Sequence, residues 1–473
     1  MTTLINALSH RRPAAIIAAT GLATLVLFLV RPSVAYAAGV EEETAFVFNT
    51  FSFLIWGALV MWMCAGFTML ESGSVRTKNA AMICLKNIGL YSIAGLAYFF
   101  IGYNLMYGDI IGGFIGTPGF MYLPSADEVA LLDAGDAEAA AATAKVLADG
   151  DGYSVMSDWF FQMVFVATAA SIVSGALAER VKMWSFFLFT LLLTGVIYPV
   201  VGAWTWGGGW LAEMGFVDFA GSTIVHSTGG WAALAGMLVI GPRLGKFRKD
   251  GSVRATPPSN ILIVTLGVFI LWFGWFGFNG GSQLALGSAA DAVSMSIVLV
   301  NTNLAAAAGV ITALAVSRPI LGRTDLFAGL NGAIAGLVSI TAAPDFTDHY
   351  WAVIIGAIGA VICTAGLKLL ERVKLDDVVG AVPAHLFAGV WGTLAASIGV
   401  AGGAQFHVQL IGILAIGVFV FAVSFVLWKL IDMTISARVT HQVERLGQDA
   451  GELGMESYPE FVLMPDIDEH DEE

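Results

Sequence analysis

The 473-residue chain is short of charge: Asp, Glu, Lys and Arg make up only 12% of it, against 57% hydrophobic residues. A soluble domain of this length needs many more charged side chains on its surface. The composition excludes one and points to a polytopic membrane protein. Cysteine is scarce too. Cys64, Cys84 and Cys363 lie in apolar runs, which makes a disulfide framework a poor reading and fits no metal-ligand spacing. They read as small buried side chains. The net charge of −14 does not suggest nucleic acid as a partner. Much of that charge sits in residues 126–158 and in the terminal "MPDIDEHDEE". No carboxylate cage or ring suits a metal ion, no TVGYG-like filter is present, and no broken-helix sodium site is evident. Nor is there a nucleophile dyad or a cofactor loop. No catalytic residue, metal or cofactor is therefore expected, which leaves a membrane enzyme as the weakest reading.

Long apolar runs are what the chain has in abundance. The first stretch, "SHRRPAAIIAATGLATLVLFLVRPSVAYAAG", has a basic start, an apolar core and Ala35-Tyr36-Ala37 before Ala38. Residues 1–37 read as a signal peptide that is removed, with an uncleaved extra helix as the rival reading. Beyond it, eleven runs meet the length of roughly 20 residues per crossing. They lie near 43–70, 79–106, 157–178, 183–203, 220–241, 259–281, 289–316, 325–342, 349–371, 378–399 and 406–433. The membrane domain thus covers 43–433, and 434–473 form a C-terminal tail.

Lys and Arg fall in alternate loops. Arg76 and Lys78 follow run one, Arg180 and Lys182 run three, and Arg243 to Arg254 run five. Arg318 and Arg323 follow run seven, Lys368 to Lys374 the end of run nine, and Lys429, Arg438 and Arg445 close the chain. The other loops hold only Lys145; Lys86 sits inside run two. The positive-inside rule then gives N-terminus out, C-terminus in. The one long outside loop, 107–156, is acidic and Ala-rich and reads as a tolerated insertion.

The run "FVDFAGSTIVHSTGGWAALAGMLVIG" (216–241) places His226 eight residues after Asp218. "DDVVGAVPAH" (376–385) repeats the spacing with Asp377 and His385. One pair opens span five and the other opens span ten. A repeat of five spans inserts its second copy upside down, the five-plus-five inverted arrangement found in transporters. Eight helical residues rise about 12 Å. Two histidines that deep from opposite faces of a core roughly 30 Å thick differ by only about 6 Å in depth. Gly229, Gly230, Gly389 and Gly392 would let the two helices approach. Paired ionisable groups at mid-membrane are costly and mark a transport path. The aspartates read as caps, each meeting the free N–H groups and positive end of a helix start.

Phe161 and Phe165 are i, i+4 on span three; Trp275, Phe278 and Ser282 are i, i+3, i+7 on span six; Trp206 opens an outside loop. Aromatic stripes are usually packing, but all of these lie toward the outer surface. Aromatic faces attract cations and Ser282 can accept from an N–H donor, so Phe161 and Trp275 are expected to line the vestibule and pore. Glu71, near the inner end of span one, is expected to pair with Arg76 or Lys78, with a pore role as the alternative.

With these residues the chain resembles the Amt/Mep/Rh ammonium transporter family, on its Amt side. The matching pieces are "GSVRTKN" (73–79), "GALAER" (175–180), "WGGGWLAEMGFVDFAGSTIVH" (206–226), "WFGFNGGS" (275–282), "NTNLAAAAG" (301–309), "GAIAGLVSIT" (332–341) and "DDVVGAVPAH" (376–385). They span nearly all of 43–460. The resemblance implies an all-α, eleven-helix protomer of a homotrimer in the inner (plasma) membrane, surrounded by lipid. It implies an outer ammonium site at Trp206, Ser282 and Phe165, a gate of Phe165 and Phe278, and twin pore histidines, His226 and His385. It also implies a regulatory tail ("ERLGQDAGELGMESYPEF") that in many members meets a PII-type signalling protein. Ser222 stands where glycine is common in the family, and Leu70-Glu71 replaces an aromatic pair of some bacterial members. Other readings are an ammonium sensor signalling through the tail and a neutral gas channel of the Rh type.

Overall fold

A computed structural model of the chain describes residues 41–400 and 403–459. The segment read as a signal peptide and the last residues of the tail lie outside the described residues. The long and shorter apolar helices among the described residues, in chain order, are α1 Glu42–Ser74, α2 Thr77–Tyr107, α3 Val155–Ala176, α4 Met183–Trp204, α5 Ser222–Ile240, α6 Ile261–Gly281, α7 Ala289–Leu321, α8 Leu326–Ile340, α9 Tyr350–Arg372, α10 Val382–Ile398 and α11 Phe406–Ile435. Among the described residues nine of them are long and apolar enough to cross a membrane; α8 and α10 are the short two. Hydrocarbon offers no partner to a backbone N–H or C=O, so helices that satisfy their own groups are what such sequences form. Hydroxyls inside them bond back to their own helix, as Thr168 does to the Val164 carbonyl at 2.8 Å and Thr364 to Ala360 at 2.8 Å.

The helices divide by burial. In its most apolar stretch α3 is 89% buried and α5 78%, whereas α11 is 33% buried. Helices α3 and α5 are therefore the centre, and α1, α6, α7 and α11 turn large apolar side chains outward, among them Trp62, Leu262, Ile311 and Val418. Such an apolar exterior suits lipid. Cys84 is exposed on that exterior and Cys64 is half-buried, contrary to the reading of all three cysteines as buried; only Cys363 is, and all three are free thiols.

Helices α5 and α10 meet closely. A Cβ on Gly230 would stand 2.6 Å from the Leu386 Cβ, and one on Gly389 would stand 2.4 Å from the Ser222 carbonyl oxygen. Gly229 and Gly392 instead face Ala169 of α3 and Ser339 of α8. The Thr223 and Thr393 hydroxyls bond across the α5–α10 seam at 2.6 Å. The Ser222 hydroxyl, at the position where glycine was expected, donates to the Val338 carbonyl of α8 at 2.6 Å.

The loop between α2 and α3 is built rather than loose. It holds a hairpin of β1 (Ile110–Ile111) and β2 (Ile115–Gly116) and two short helices, Ala126–Asp133 and Ala139–Asp149. Ser125 and Glu128 form a capping box at the first of these. At the opposite end of the bundle the tail turns back under the helices. Val181 and Arg438 form an antiparallel bridge, and Asp449 accepts from the Ala81 and Met82 N–H groups at 3.0 and 2.8 Å. Those N–H groups belong to the first turns of α2, so the tail is tied to the start of that helix.

Candidate functional site

The loop end of the bundle opens into a cavity of about 450 Å3. Phe161, Gln162 and Phe165 of α3, Trp206, Ser282 and Asp158 line it. The α2–α3 loop contributes Tyr122, Asp151 and Tyr153, so this segment walls the site and is more than an insertion. Asp158 accepts from the Tyr103 hydroxyl and from Gln162 at 3.1 Å. Trp206 is fixed by its indole N–H, which donates to the Asp218 carbonyl at 3.0 Å. The Ser282 hydroxyl donates to the Phe278 carbonyl at 2.8 Å, which leaves its oxygen lone pairs turned to the cavity.

Two phenyl rings close the floor. Phe165 and Phe278 stack with centroids 4.0 Å apart, and Phe165 stands edge-on to Trp206 at 6.1 Å. Phe161 packs above Phe165 at 4.8 Å. All three phenyl side chains are fully buried.

Beyond the rings lies the histidine pair. His226 stacks on Trp275 at 4.9 Å and on Phe278 at 5.2 Å. Its Nδ1 is 3.3 Å from the Nδ1 of His385. One ring must donate and the other accept. The trapped proton leaves the pair with one bare Nε2 and one Nε2–H. The His226 Nε2 is buried and has no hydrogen-bond partner among the described residues. Trp275 is held by its own N–H to the Thr341 hydroxyl at 2.9 Å, so His226 rests on a fixed surface.

The local sequence explains this placement. The Asp218 carboxylate accepts from the N–H groups of Gly221, Ser222, Thr223 and Ile224 at 3.2, 2.7, 2.8 and 2.9 Å. Asp377 accepts from Gly380 at 3.0 Å and Val382 at 2.7 Å. Gly221 (φ +104°) and Gly380 (φ +79°) adopt left-handed conformations that start each helix. Each helix then opens with a π-helical turn, Ser222–Ser227 and Val382–Phe387, that contains its histidine. Such turns are uncommon and concentrate at functional sites. The shared pattern is thus Asp-x-x-Gly-x-x-x-x-His. The glycine three residues after each aspartate was visible in the sequence and extends the two-residue match.

Glu71 requires a correction. Arg76 pairs with Glu179, and Lys78 donates to tail carbonyls, that of Glu444 at 3.2 Å. Glu71 instead accepts from Ser174 Oγ at 2.7 Å and Asn87 Nδ2 at 3.2 Å. Among the described residues no group of three or more His, Cys, Asp or Glu converges as metal ligands would.

With this geometry in view, residues 51–458 match the sequence model of the Ammonium Transporter Family. The chain is 40% identical over 438 residues to the ammonium transporter Amt2 of Archaeoglobus fulgidus, covering 86% of this chain and 88% of that one. It is 33% identical to the ammonium transporter of Bacillus subtilis, covering 87% and 98%. Among solved structures, a sensor Amt protein superposes with a TM-score of 0.77 at 33% identity, covering 87% of this chain and all of that one. Candida albicans Mep2 superposes at 0.71 and 27% identity, covering 85% and 89%.

Proposed function

The chain belongs to the ammonium transporter family, and on that premise we propose that it carries ammonium across a cell membrane through the histidine-lined path. It enters the bilayer as a multi-pass protein with its cavity outside and its tail inside, eleven helices in two inverted halves of five plus a last helix, three protomers to an assembly. Ammonium collects at Trp206, Ser282 and Phe165, where ring faces and the Ser282 oxygen replace part of its hydration. The stacked Phe165 and Phe278 form the gate. A cation that keeps its charge would have to desolvate there, at a cost of many kcal/mol. Ammonium avoids that cost by giving up its proton; potassium has none to give. Ammonia then follows the histidine edge, and the pair passes the proton. When the bare Nε2 takes a proton, the shared Nδ1 proton crosses to the other ring, whose Nε2–H can leave. The tail, seated under the bundle by Arg438 and Asp449, is the element through which a PII-type regulator would act.

The observation that carries this reading is the Nδ1–Nδ1 contact of 3.3 Å between two buried histidines, directly beneath the stacked rings. The test is current in proteoliposomes after an ammonium jump, with potassium as control. The wild type should give an ammonium-dependent current and none with potassium. His226→Ala should lose that discrimination. A His226→Ala protein that still moves ammonium and still excludes potassium would remove the pair from the mechanism. Ammonia flux without current in the wild type would favour the neutral gas channel, and no flux of either kind the sensor.

A further inference from the structure

Past the histidine pair, toward the tail end, the path meets a carboxylate. Glu71 lies in the last turns of α1 and is fully buried. With His385, Phe67, Ser171 and Asn331 it lines a small cavity of about 10 Å3, about the least space that holds one water. The His385 ring sits 6.3 Å from that of Phe67 on the cavity wall. Ser174 and Asn87 both donate to Oε2 of Glu71. Oε1 is buried and has no hydrogen-bond partner among the described residues. It lies over Gly175, 3.4 Å from where a Cβ would stand, and Gly175 lines the same cavity. The free oxygen therefore faces the space shared with His385.

A second buried charge stands behind it. Lys86 of α2 is fully buried and donates to the Ser174 carbonyl at 2.9 Å, with its ammonium 5.1 Å from the centre of the Phe186 ring. Ser174 thus bonds the carboxylate through its hydroxyl and the ammonium through its carbonyl. Lys86 offsets the cost of burying a carboxylate, yet holds it through a bridge and leaves one oxygen open. A purely structural pair would use both oxygens, because an unmet buried acceptor costs about 1–3 kcal/mol.

We propose that Glu71 is the proton relay on the tail side of the histidine pair, taking the proton that His385 releases and passing it to water at the tail end. This rests on the reading of transport as ammonia plus a proton. The steps balance. Ammonium leaves one proton on the histidine pair. The imidazolium of His385 gives one up to a single bridging water, which passes one of its own to Oε1. The Glu71 acid then loses that proton to tail-side water and returns to carboxylate. Ammonia crosses separately and regains a proton beyond the pore. Only N–H and O–H bonds change, and one positive charge crosses per ammonia.

Glu71→Gln separates relay from packing, since its amide oxygen still accepts from Ser174 and Asn87 while it binds no proton. Reconstituted full-length protein is measured twice, by ammonium-evoked current and by ammonia flux on an internal pH probe. The expected result is a current reduced at least tenfold with ammonia flux within about twofold of wild type, and current regained in part by Glu71→Asp. Because Gln leaves Lys86 without its counter-charge, the double variant Glu71→Gln/Lys86→Met, which removes both charges, is run beside it and should show the same split. Wild-type current in either Gln variant overturns the relay. So does loss of current and flux together in folded double variant, or a double variant that does not fold. A wild type without ammonium current overturns the transport reading itself, a result distinct from unchanged current in the variants.

Discussion

At the scale of single residues, the site depends on which atoms are left unsatisfied. The Ser282 hydroxyl spends its proton on the Phe278 carbonyl, so toward the proposed ammonium it can act only as an acceptor. Ser282→Ala should keep the ring geometry and lose that one contact. A hydrogen bond to a charged group contributes about 1.5–3 kcal/mol. The ammonium concentration for half-maximal current should rise roughly ten- to a hundredfold, with the maximal current little changed. A variant whose maximal current falls while its half-saturation stays put would place Ser282 in the gate rather than in capture. The sequence made much of this legible. Short-range spacing along the chain brought out Asp218 and His226, Asp377 and His385, and the row Trp275, Phe278, Ser282. It did not make Glu71 legible, because its partners Asn87 and Ser174 come from other helices. The nearest cations along the chain, Arg76 and Lys78, looked like the obvious partners, and both are taken by other groups. Lys86 carried a signal of its own: a lysine inside an apolar run has to find a buried acceptor.

At the scale of elements, the tail end of the bundle is held by a buried ion network. Arg243, in the loop after α5, grips Asp376 with Nε at 2.8 Å and Nη2 at 2.9 Å, and its Nη1 donates to Glu179 at 2.9 Å. Arg180 donates to the Asp376 carbonyl at 2.6 Å. Glu179 also pairs with Arg76 after α1, so the network joins the ends of α1, α3, α5 and α9. Burial alone would raise the Asp376 carboxyl, but hydrogen bonds from Arg243 and the charges of Arg180 and Arg243 hold it well below the usual carboxylate range. A depressed carboxylate adds stability above its unfolded value, near pH 3.9, and loses it as pH falls through the lower folded value. The network should therefore be at full strength at pH 7 and weaken only in strong acid. Arg243→Ala leaves Asp376 and Glu179 buried without that cation and should cost about 3–5 kcal/mol. The check is thermal unfolding of purified protein at pH 7 and at pH 4, where the variant should melt well below wild type in both. A variant that melts with wild type would show the network to be idle. Of this the sequence showed only loop charges. It placed Arg180 and Arg243 in loops, left Asp376 as an unremarked neighbour of Asp377, and gave no sign that helix ends far apart in the chain converge on one point.

At the scale of the whole molecule, the proposed count of crossings turns on the two short helices, α8 and α10. Asp376, just after α9, touches Arg243 at the tail end. Helix α9 is long enough to span, so its start near Tyr350 lies at the cavity end. Helix α7 begins beside the start of α1, where Gly287 packs on Ala45, and so ends at the tail end. On the proposed topology the short α8 crosses between them, and the Thr341 and Ala342 carbonyls at its far end accept from Ala220 and Phe219 beside the cavity. Helix α10 leaves the tail end beside Asp377, and its far half meets Gln409 at the start of α11, which also bonds Val217 at the cavity end. Most of α8 from Ala328 to Ile340, and Ala388, Gly389, Gly392, Thr393 and Ala395 of α10, are buried against other helices, where a short helix would suffice. Charge then sets direction. Arg76, Arg180, Arg243, Arg323 and Arg438 cluster at the tail end, whereas Lys145 is on the cavity side, so the tail should face the cytoplasm. Ala140→Cys, on an exposed helix of the cavity-side loop, and Ser252→Cys, exposed in the loop after α5, lie three crossings apart. In intact cells a membrane-impermeant maleimide should label Ala140→Cys above the wild-type background. Ser252→Cys should react only after the cells are opened. The reverse pattern would invert the protein in the membrane and turn capture at Trp206 and Ser282 into release. Labelling of both from one side would break the crossing count on which the inverted repeat depends.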